Sequence, residues 1–220
     1  MLKHIPVLII LLFAFVLSSC TDDGELKVNN QTSGVLQLTV AGQTAELDAQ
    51  QSFSKKWELS KTIFSAEEKE VAISGEGLFK KEFDTTVKVK AGEKKTVNID
   101  PDAGVIRVEN LSSSTNINEI YLSPSSEQYW GSNALSGFLP PNYYIMWRVS
   151  PGDWDVKIVD ENNQEYYAYQ QTVYVDQMLV LRYNPSEQSN FAPAQDRKAS
   201  GGRINAAVNQ LESRPIRALR

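Results

Sequence analysis

Between residues 25 and 184 this chain shows no long helical periodicity. Its apolar residues come in short alternating runs bounded by Gly, Asn, Ser, Pro and Asp. Leu26-Lys27-Val28, Leu36-Gln37-Leu38-Thr39-Val40, Val71-Ala72-Ile73 and Thr86-Val87-Lys88-Val89 are examples. Side chains alternate faces along a strand, so such runs turn their apolar members toward a core and their polar members toward water. The expected fold class is all-β, built of antiparallel strands.

The runs recur in the same order. Leu26-Lys27-Val28-Asn29-Asn30 corresponds to Ile106-Arg107-Val108-Glu109-Asn110, and Phe53 to Leu59 corresponds to Tyr143 to Val149. Val71-Ala72-Ile73 corresponds to Val156-Lys157-Ile158, and Thr86-Val87-Lys88-Val89 to Thr172-Val173-Tyr174-Val175. Val97-Asn98-Ile99-Asp100-Pro101 then matches Leu181-Arg182-Tyr183-Asn184-Pro185, with the spacing near 80 to 90 residues throughout. The pattern reads as two tandem small sandwiches, 25–101 and 102–185. The competing reading is that all short-strand chains look alike at this level.

The amino terminus is different. A short basic start, Met1-Leu2-Lys3-His4, leads into an apolar run from Ile5 to Leu17, then Ser18-Ser19-Cys20. That order is the pattern of a secretory signal peptide. The run is also too short to cross a bilayer, which takes roughly 20 apolar residues. Leu17-Ser18-Ser19-Cys20 resembles the bacterial lipobox. The resemblance implies cleavage before Cys20, diacylglycerol on its thiol and acylation of the new amino group. Two or more chains, at about 0.8 kcal/mol per buried CH₂, anchor a protein stably. The expected layout is thus a lipoprotein signal peptide at 1–19 and a lipidated tether at 20–24. The following Thr21-Asp22-Asp23-Gly24-Glu25 resembles the surface-export tag of Bacteroidetes-type lipoproteins. A solvated, disordered tether is its plainer reading. The expected location is the cell envelope, in the outer membrane, on its periplasmic or surface face.

Composition excludes much. The one His is His4, within the signal segment, and the one Cys is Cys20. A mature chain without His and with a lipidated Cys lacks the Ser-His-Asp and Cys-His arrangements, disulfides and His/Cys metal sites. No enzyme is expected, and no cofactor. Net charge runs −1 over 24–101, −6 over 102–184 and +3 over 185–220. An acidic folded part argues against nucleic acid as a partner.

Gly42 and the segment Val87-Lys88-Val89-Lys90-Ala91-Gly92-Glu93-Lys94-Lys95-Thr96-Val97 give the first half a resemblance to PEGA-like or carboxypeptidase-regulatory-like domains. Ala91-Gly92-Glu93 would be a hairpin turn there, with Gly92 at positive φ. Through Ile120-Tyr121-Leu122-Ser123-Pro124, Trp130-Gly131 and Ser150-Pro151-Gly152-Asp153-Trp154, the second half resembles another bacterial sandwich. Both resemblances rest on turn chemistry and imply a fold, not an activity.

All nine Tyr and three of the four Trp fall in the second half. Rings left on a surface beside Asn, Gln and Asp suit sugar stacking or protein recognition. Tyr129, Trp130, Asn133, Tyr144 and Tyr167 are the candidate ligand-binding residues, weighed against rings that only cover sheet faces. Asp153, Asp155, Asp160, Glu161, Asn162 and Asn163 are oxygen-rich enough to suggest calcium, but 160–163 falls where a hairpin turn is required. The tail, 186–220, reads as flexible and basic, with Ile204, Val208 and Leu211 spaced for a short helix over 203–212. The expected function is a lipid-anchored, non-catalytic envelope module for protein–protein interaction or scaffolding, with carbohydrate or glycan binding as the alternative.

Overall fold

The computed structural model describes residues 20–62, 64–185, 190, 191, 198 and 209–215, with only the backbone at 20, 209, 210 and 212–215. The signal peptide expected at 1–19 and most of the expected flexible tail lie outside the described residues. Among the described residues every regular element is a strand. The first half holds β1 (Cys20–Asn30), β2 (Leu36–Val40), β3 (Gln43–Leu47), β4 (Ser52–Lys61), β5 (Glu68–Gly77), β6 (Lys80–Lys90) and β7 (Lys94–Ile99). The second holds β8 (Gly104–Asn110), β9 (Ile117–Pro124), β10 (Tyr143–Val149), β11 (Gly152–Asp160), β12 (Glu165–Val173), β13 (Met178–Tyr183) and β14 (Asn209–Pro215). Two compact units divide between Asp100 and Pro101, except that Thr32–Gly34 and Gly77–Lys81 group with the second.

Each unit is a sandwich of two sheets. In the first, the order β4-β1-β7 faces β3-β2-β5-β6; in the second, β13-β8-β10-β14 faces β12-β11-β9. The alternating runs explain the layering, because their apolar members meet between the sheets. Leu26 and Val28 from one sheet, with Leu36, Leu38, Val71 and Ile73 from the other, form the first core. Ile106, Val108 and Trp147 meet Ile120, Val156 and Ile158 in the second. At about 25 cal/mol per Å² of apolar surface removed from water, this burial is the main force holding each layer pair together.

The two units share one strand plan. The first strand is flanked on both sides in each, β1 by β4 and β7, and β8 by β10 and β13. Most neighbours are antiparallel, but each half contains one parallel pair, β1 with β7 and β8 with β13. The expected Ala91-Gly92-Glu93 hairpin is therefore corrected. β6 and β7 lie in different sheets, so the turn carries the chain from one layer to the other. Gly92 does take the expected positive φ, 77°.

A longer shared signature underlies this plan. Gly24 to Thr32 and Gly104 to Ser112 both read Gly-x-(Leu/Ile)-(Lys/Arg)-Val-x-Asn-x-(Thr/Ser). A Cβ on Gly24 would lie 2.8 Å from Leu59 Cδ1 and 2.9 Å from the Lys90 carbonyl; one on Gly104 would strike Val173 and the Tyr174 carbonyl. The glycine lets the first strand approach its neighbours closely. Both Asn are fully buried at the strand's other end. Asn30 Nδ2 donates to the carbonyls of Leu47 (3.2 Å) and Asp48 (3.0 Å). Asn110 Nδ2 donates to those of Thr115 (2.9 Å) and Leu139 (3.0 Å), while its Oδ1 accepts from Ser112. The next residue's N–H bonds the final carbonyl of the parallel neighbour in both halves, Gln31 to Ile99 and Leu111 to Tyr183.

Two expectations are overturned. Residues 20–24 are no free tether, because β1 pairs with β4 from its first residue, Cys20 opposite Lys61 and Gly24 opposite Trp57. The tail helix is also corrected, since Asn209–Pro215 forms β14, antiparallel to β10; residues 203–208 lie outside the described ones. A helix of about ten residues is marginal in water. An open sheet edge offers a full row of backbone partners instead.

Replacing Asn110 with Ala removes its bonds to the Thr115 and Leu139 carbonyls and takes the acceptor from the buried Ser112 N–H. The expected cost is about 2 kcal/mol of unfolding free energy, at roughly 1–3 kcal/mol per unpaired buried group. The control is Asn29→Ala, which loses an exposed bond to Asn98 and should stay within about 0.5 kcal/mol. Urea denaturation measures both. Equal effects would refute the structural weight given to the buried amide.

Candidate functional site

Two places on the molecule bring together chemistry-bearing residues. One is the end of the first sandwich where β1 begins. There Asp22 pairs with Lys61 at 3.0 Å and Asp23 with Lys56 at 3.4 Å, all on the surface. Lys61 holds the Asp22 carboxyl below the usual range through a hydrogen bond and its charge. The Gly92 N–H donates to the Asp23 carbonyl at 3.1 Å. The acidic cluster after Cys20 is thus matched by lysines and tied into the sheet.

The other is the outer face of the β12-β11-β9 sheet. Trp154, Val156 and Ile158 of β11 enter the core, so the residues between them face outward. Asp155 and Lys157 were expected in water on that face, yet both are buried. A layer of aromatic rings and a second lysine covers them. Lys157 lies between cross-strand neighbours Tyr121 and Tyr167. Its Nζ sits 4.7 Å from the Tyr121 ring centre, 5.7 Å from that of Trp130 and 3.5 Å from Glu165. Lys198 Nζ lies 5.5 Å from Trp130 and 3.0 Å from Asp155, and it donates to Ser123 Oγ and the Pro124 carbonyl. Trp130 is thus shared by two cations. Burying a charge is costly unless it is paired, and ring faces plus carboxylates meet that cost here.

A β-bulge shapes one side of this layer. The β11–β12 register shifts between Trp154 and Val156. Opposite, Gln170 adopts φ 54°, a left-handed conformation that costs a non-glycine residue energy. Its N–H donates to Asp155 Oδ1 at 2.8 Å. Bulges re-aim side chains, and Tyr169 now stacks parallel on Tyr167, with centres 5.5 Å and planes 6° apart. It also tilts against Trp130 at 6.1 Å. Beside it opens a concavity of about 500 Å³ lined by Ser125, Gln128, Asp155, Tyr169, Gln170 and Lys198, among others. Both Asp155 oxygens are committed: Oδ1 also accepts from Ser125 Oγ at 2.6 Å, and Oδ2 faces Lys198. The arrangement presents a ring, amides, hydroxyls and the exposed carboxylate of Glu127. It has no open carboxylate pair at Asp155.

The candidates read from the sequence scatter over these surroundings. Tyr129 is 52% exposed, whereas its neighbour Trp130 is 1% exposed and Tyr167 3%. The last two are not surface rings; they form the buried layer beneath Tyr169. Asn133 works locally, its Oδ1 accepting from the N–H of Ile120 and Leu135. Tyr144 carries the Arg107 guanidinium 3.8 Å over its ring and packs beside Phe79, Val105 and Met146. Cys20 opens β1. Sequence reasoning counted Tyr169 among the second-half rings too many to bury without selecting it as a candidate, and it missed Gln170, Lys157 and Lys198. For Gln170 no composition signal exists; for Lys157, its place between Val156 and Ile158 in a central strand was the available clue. The Asp160 segment forms the expected turn, with Oδ1 accepting from Asn162 and Gln164 N–H. Among the described residues no acidic group is arranged to hold a metal ion.

Burial, with Glu119 accepting its proton at 2.6 Å, pushes the Tyr121 hydroxyl up to about 12. Burial and neighbouring Tyr166 and Asp160 push Tyr183 up as well. A raised phenol pKa favours the neutral folded form. The resulting stabilisation is complete below pH 10 and is lost as pH rises from 10 through about 12. The absorbance difference between the unsubstituted chain and Tyr121→Phe on alkaline titration should appear near 12, with unfolding promoted in that window; a difference appearing near 10 would contradict this. Trp130→Ala should cost about 3–5 kcal/mol, and Tyr129→Ala within about 0.5. Chemical denaturation giving the reverse order would show Trp130 to be a surface ring.

No family model matches the chain, and no curated protein matches it. A solved structure of the Bacillus anthracis TIE protein aligns over 74% of this chain, at 9% identity and a TM-score of 0.26. The chain spans 33% of that one, and a likeness this weak carries no argument.

Proposed function

We propose that this protein is a lipid-anchored, non-catalytic module of the bacterial cell envelope, seated in the outer membrane, whose second sandwich binds a protein partner. The observation that carries the anchor is the register of β1. Among the described residues strand pairing reaches Cys20, and the first core draws on residues from Leu26 to Ile99. A cut before Cys20 would leave that core whole. Acyl chains on the new terminus would then tie a folded domain directly to a bilayer.

The partner reading rests on large apolar side chains left in solvent on the second unit: Tyr129, Phe138, Tyr143, Tyr174 and Val175. Aromatic anchors of this kind dominate protein recognition. A second reading, glycan binding, is favoured by the bulge that aims Tyr169 into a polar concavity of a size usual for small-molecule sites. Only one of the two parallel rings lines it, because Tyr167 is buried beneath.

With Cys20→Ser, the chain should lose incorporation of labelled palmitate and move from the membrane to the soluble fraction; unchanged fractionation would refute the anchor. On a glycan array, binding that Tyr169→Ala abolishes and Tyr129→Ala spares would select the glycan reading. Silence on the array, with a cross-linked envelope protein lost on Tyr129→Ala, would select the protein one.

A further inference from the structure

The most exposed of the large apolar side chains among the described residues is Phe64, at 85%. It does not sit on a loose loop. The Thr62 N–H donates to the Ser65 carbonyl at 2.7 Å. Thr62 Oγ1 in turn accepts from the N–H groups of Phe64 (3.2 Å) and Ser65 (3.0 Å) and bonds the Ser65 hydroxyl. Lys61 bridges Ala66 across the base. Below it, Ser60 and Glu67 exchange two bonds: Glu67 N–H to the Ser60 carbonyl, and Ser60 N–H to Glu67 Oε2, each 2.8 Å. The hydroxyl locks the turn whose apex holds the phenyl ring in water.

Its position explains it. Cys20 pairs with Lys61, so their Cα atoms lie about 5 Å apart. Phe64 is three residues further on, at most about 11 Å along the chain. Phe64 therefore lies at the same end of the sandwich as Cys20. Its Cα lies within about 17 Å of the residue proposed to carry the lipid. With the tether replaced by strand, no linker separates that residue from the fold. Nor does charge oppose approach there, since Asp22 and Asp23 are matched by Lys61 and Lys56.

We propose that Phe64 is a second membrane contact, its ring inserted at the headgroup–acyl boundary of the leaflet that holds the lipid on Cys20. This rests on the anchor reading and deepens it. One anchor point lets a domain pivot; a second, a short distance away, fixes how its end meets the bilayer. Partitioning of one phenyl ring, at about 1.5–3 kcal/mol, corresponds to roughly a 10- to 150-fold preference for the inserted orientation.

The test uses the full lipidated chain, extracted from membranes and placed in phosphatidylcholine–phosphatidylethanolamine vesicles with or without brominated acyl chains. Cys20 is the chain's one cysteine, so if it is acylated a Phe64→Cys variant offers a single thiol for an environment-sensitive fluorophore. Ala49→Cys, exposed in the loop before β4, reports the opposite end of that strand, roughly 30 Å away. Blue-shifted emission at 64, quenched at least twofold by bromine while 49 is unaffected, is the expected result. Emission at 64 matching that at 49 on vesicle-bound protein would overturn the second contact and leave the anchor standing. Fluorophore uptake by the unsubstituted chain would reveal a free Cys20 thiol and overturn both.

Discussion

Each sandwich depends on the placement of its first strand at the centre of a sheet. β1 bonds β4 on one side and β7 on the other, and β8 does the same with β10 and β13. Its backbone donors and acceptors are therefore committed in both directions, and its apolar face is fully buried at Leu26, Val28, Ile106 and Val108. The Gly-x-(Leu/Ile)-(Lys/Arg)-Val-x-Asn-x-(Thr/Ser) signature serves that placement. The glycine admits close neighbours at one end, and the amide satisfies buried carbonyls at the other. Because β7 and β13 return beside the first strand of their unit, each half holds a parallel pair that cannot form until the chain between its members has been laid down.

A central first strand has consequences for the amino terminus. Residues 20–24 are strand, so under the proposal distance to the bilayer is set by the domain itself and not by a tether. Groups at that end, the Asp22–Lys61 pair and the turn carrying Phe64, become membrane-proximal chemistry under that proposal. In the second unit the equivalent plan is elaborated. β14 extends the sheet beyond β10, and Trp130 and Lys198 cover an outer face that would otherwise be wet. The bulge at Gln170 then shapes a concavity against that cover.

The sequence made the strand order legible because alternation at period two is a direct print of a half-buried sheet. The five matched runs fall on equivalent strands of the two units for the same reason. Alternation misled at Asp155 and Lys157, because the central strand β11 is buried on its outer face as well as its core face; the covering groups come from Trp130 and Lys198, far away in the chain. Trp130 and Tyr167 looked like surface rings because aromatic content says nothing of which ring lies beneath another. The tail pattern of Ile204, Val208 and Leu211 fits a helix locally, but pairing of 209–215 with β10 is a long-range event that no local period encodes. Residues 20–24, rich in Asp and Gly, look like a linker until Lys56 and Lys61 on β4 are seen to match them.

The central claim concerns what stands at the start of β1. The most direct measurement is the mass of the amino-terminal peptide released from protein extracted out of membranes. A peptide beginning at Cys20, heavier by a diacylglycerol thioether and an amide-linked acyl chain, is predicted. An unmodified peptide beginning at Cys20, or one running through Ser19 into Cys20, would contradict it.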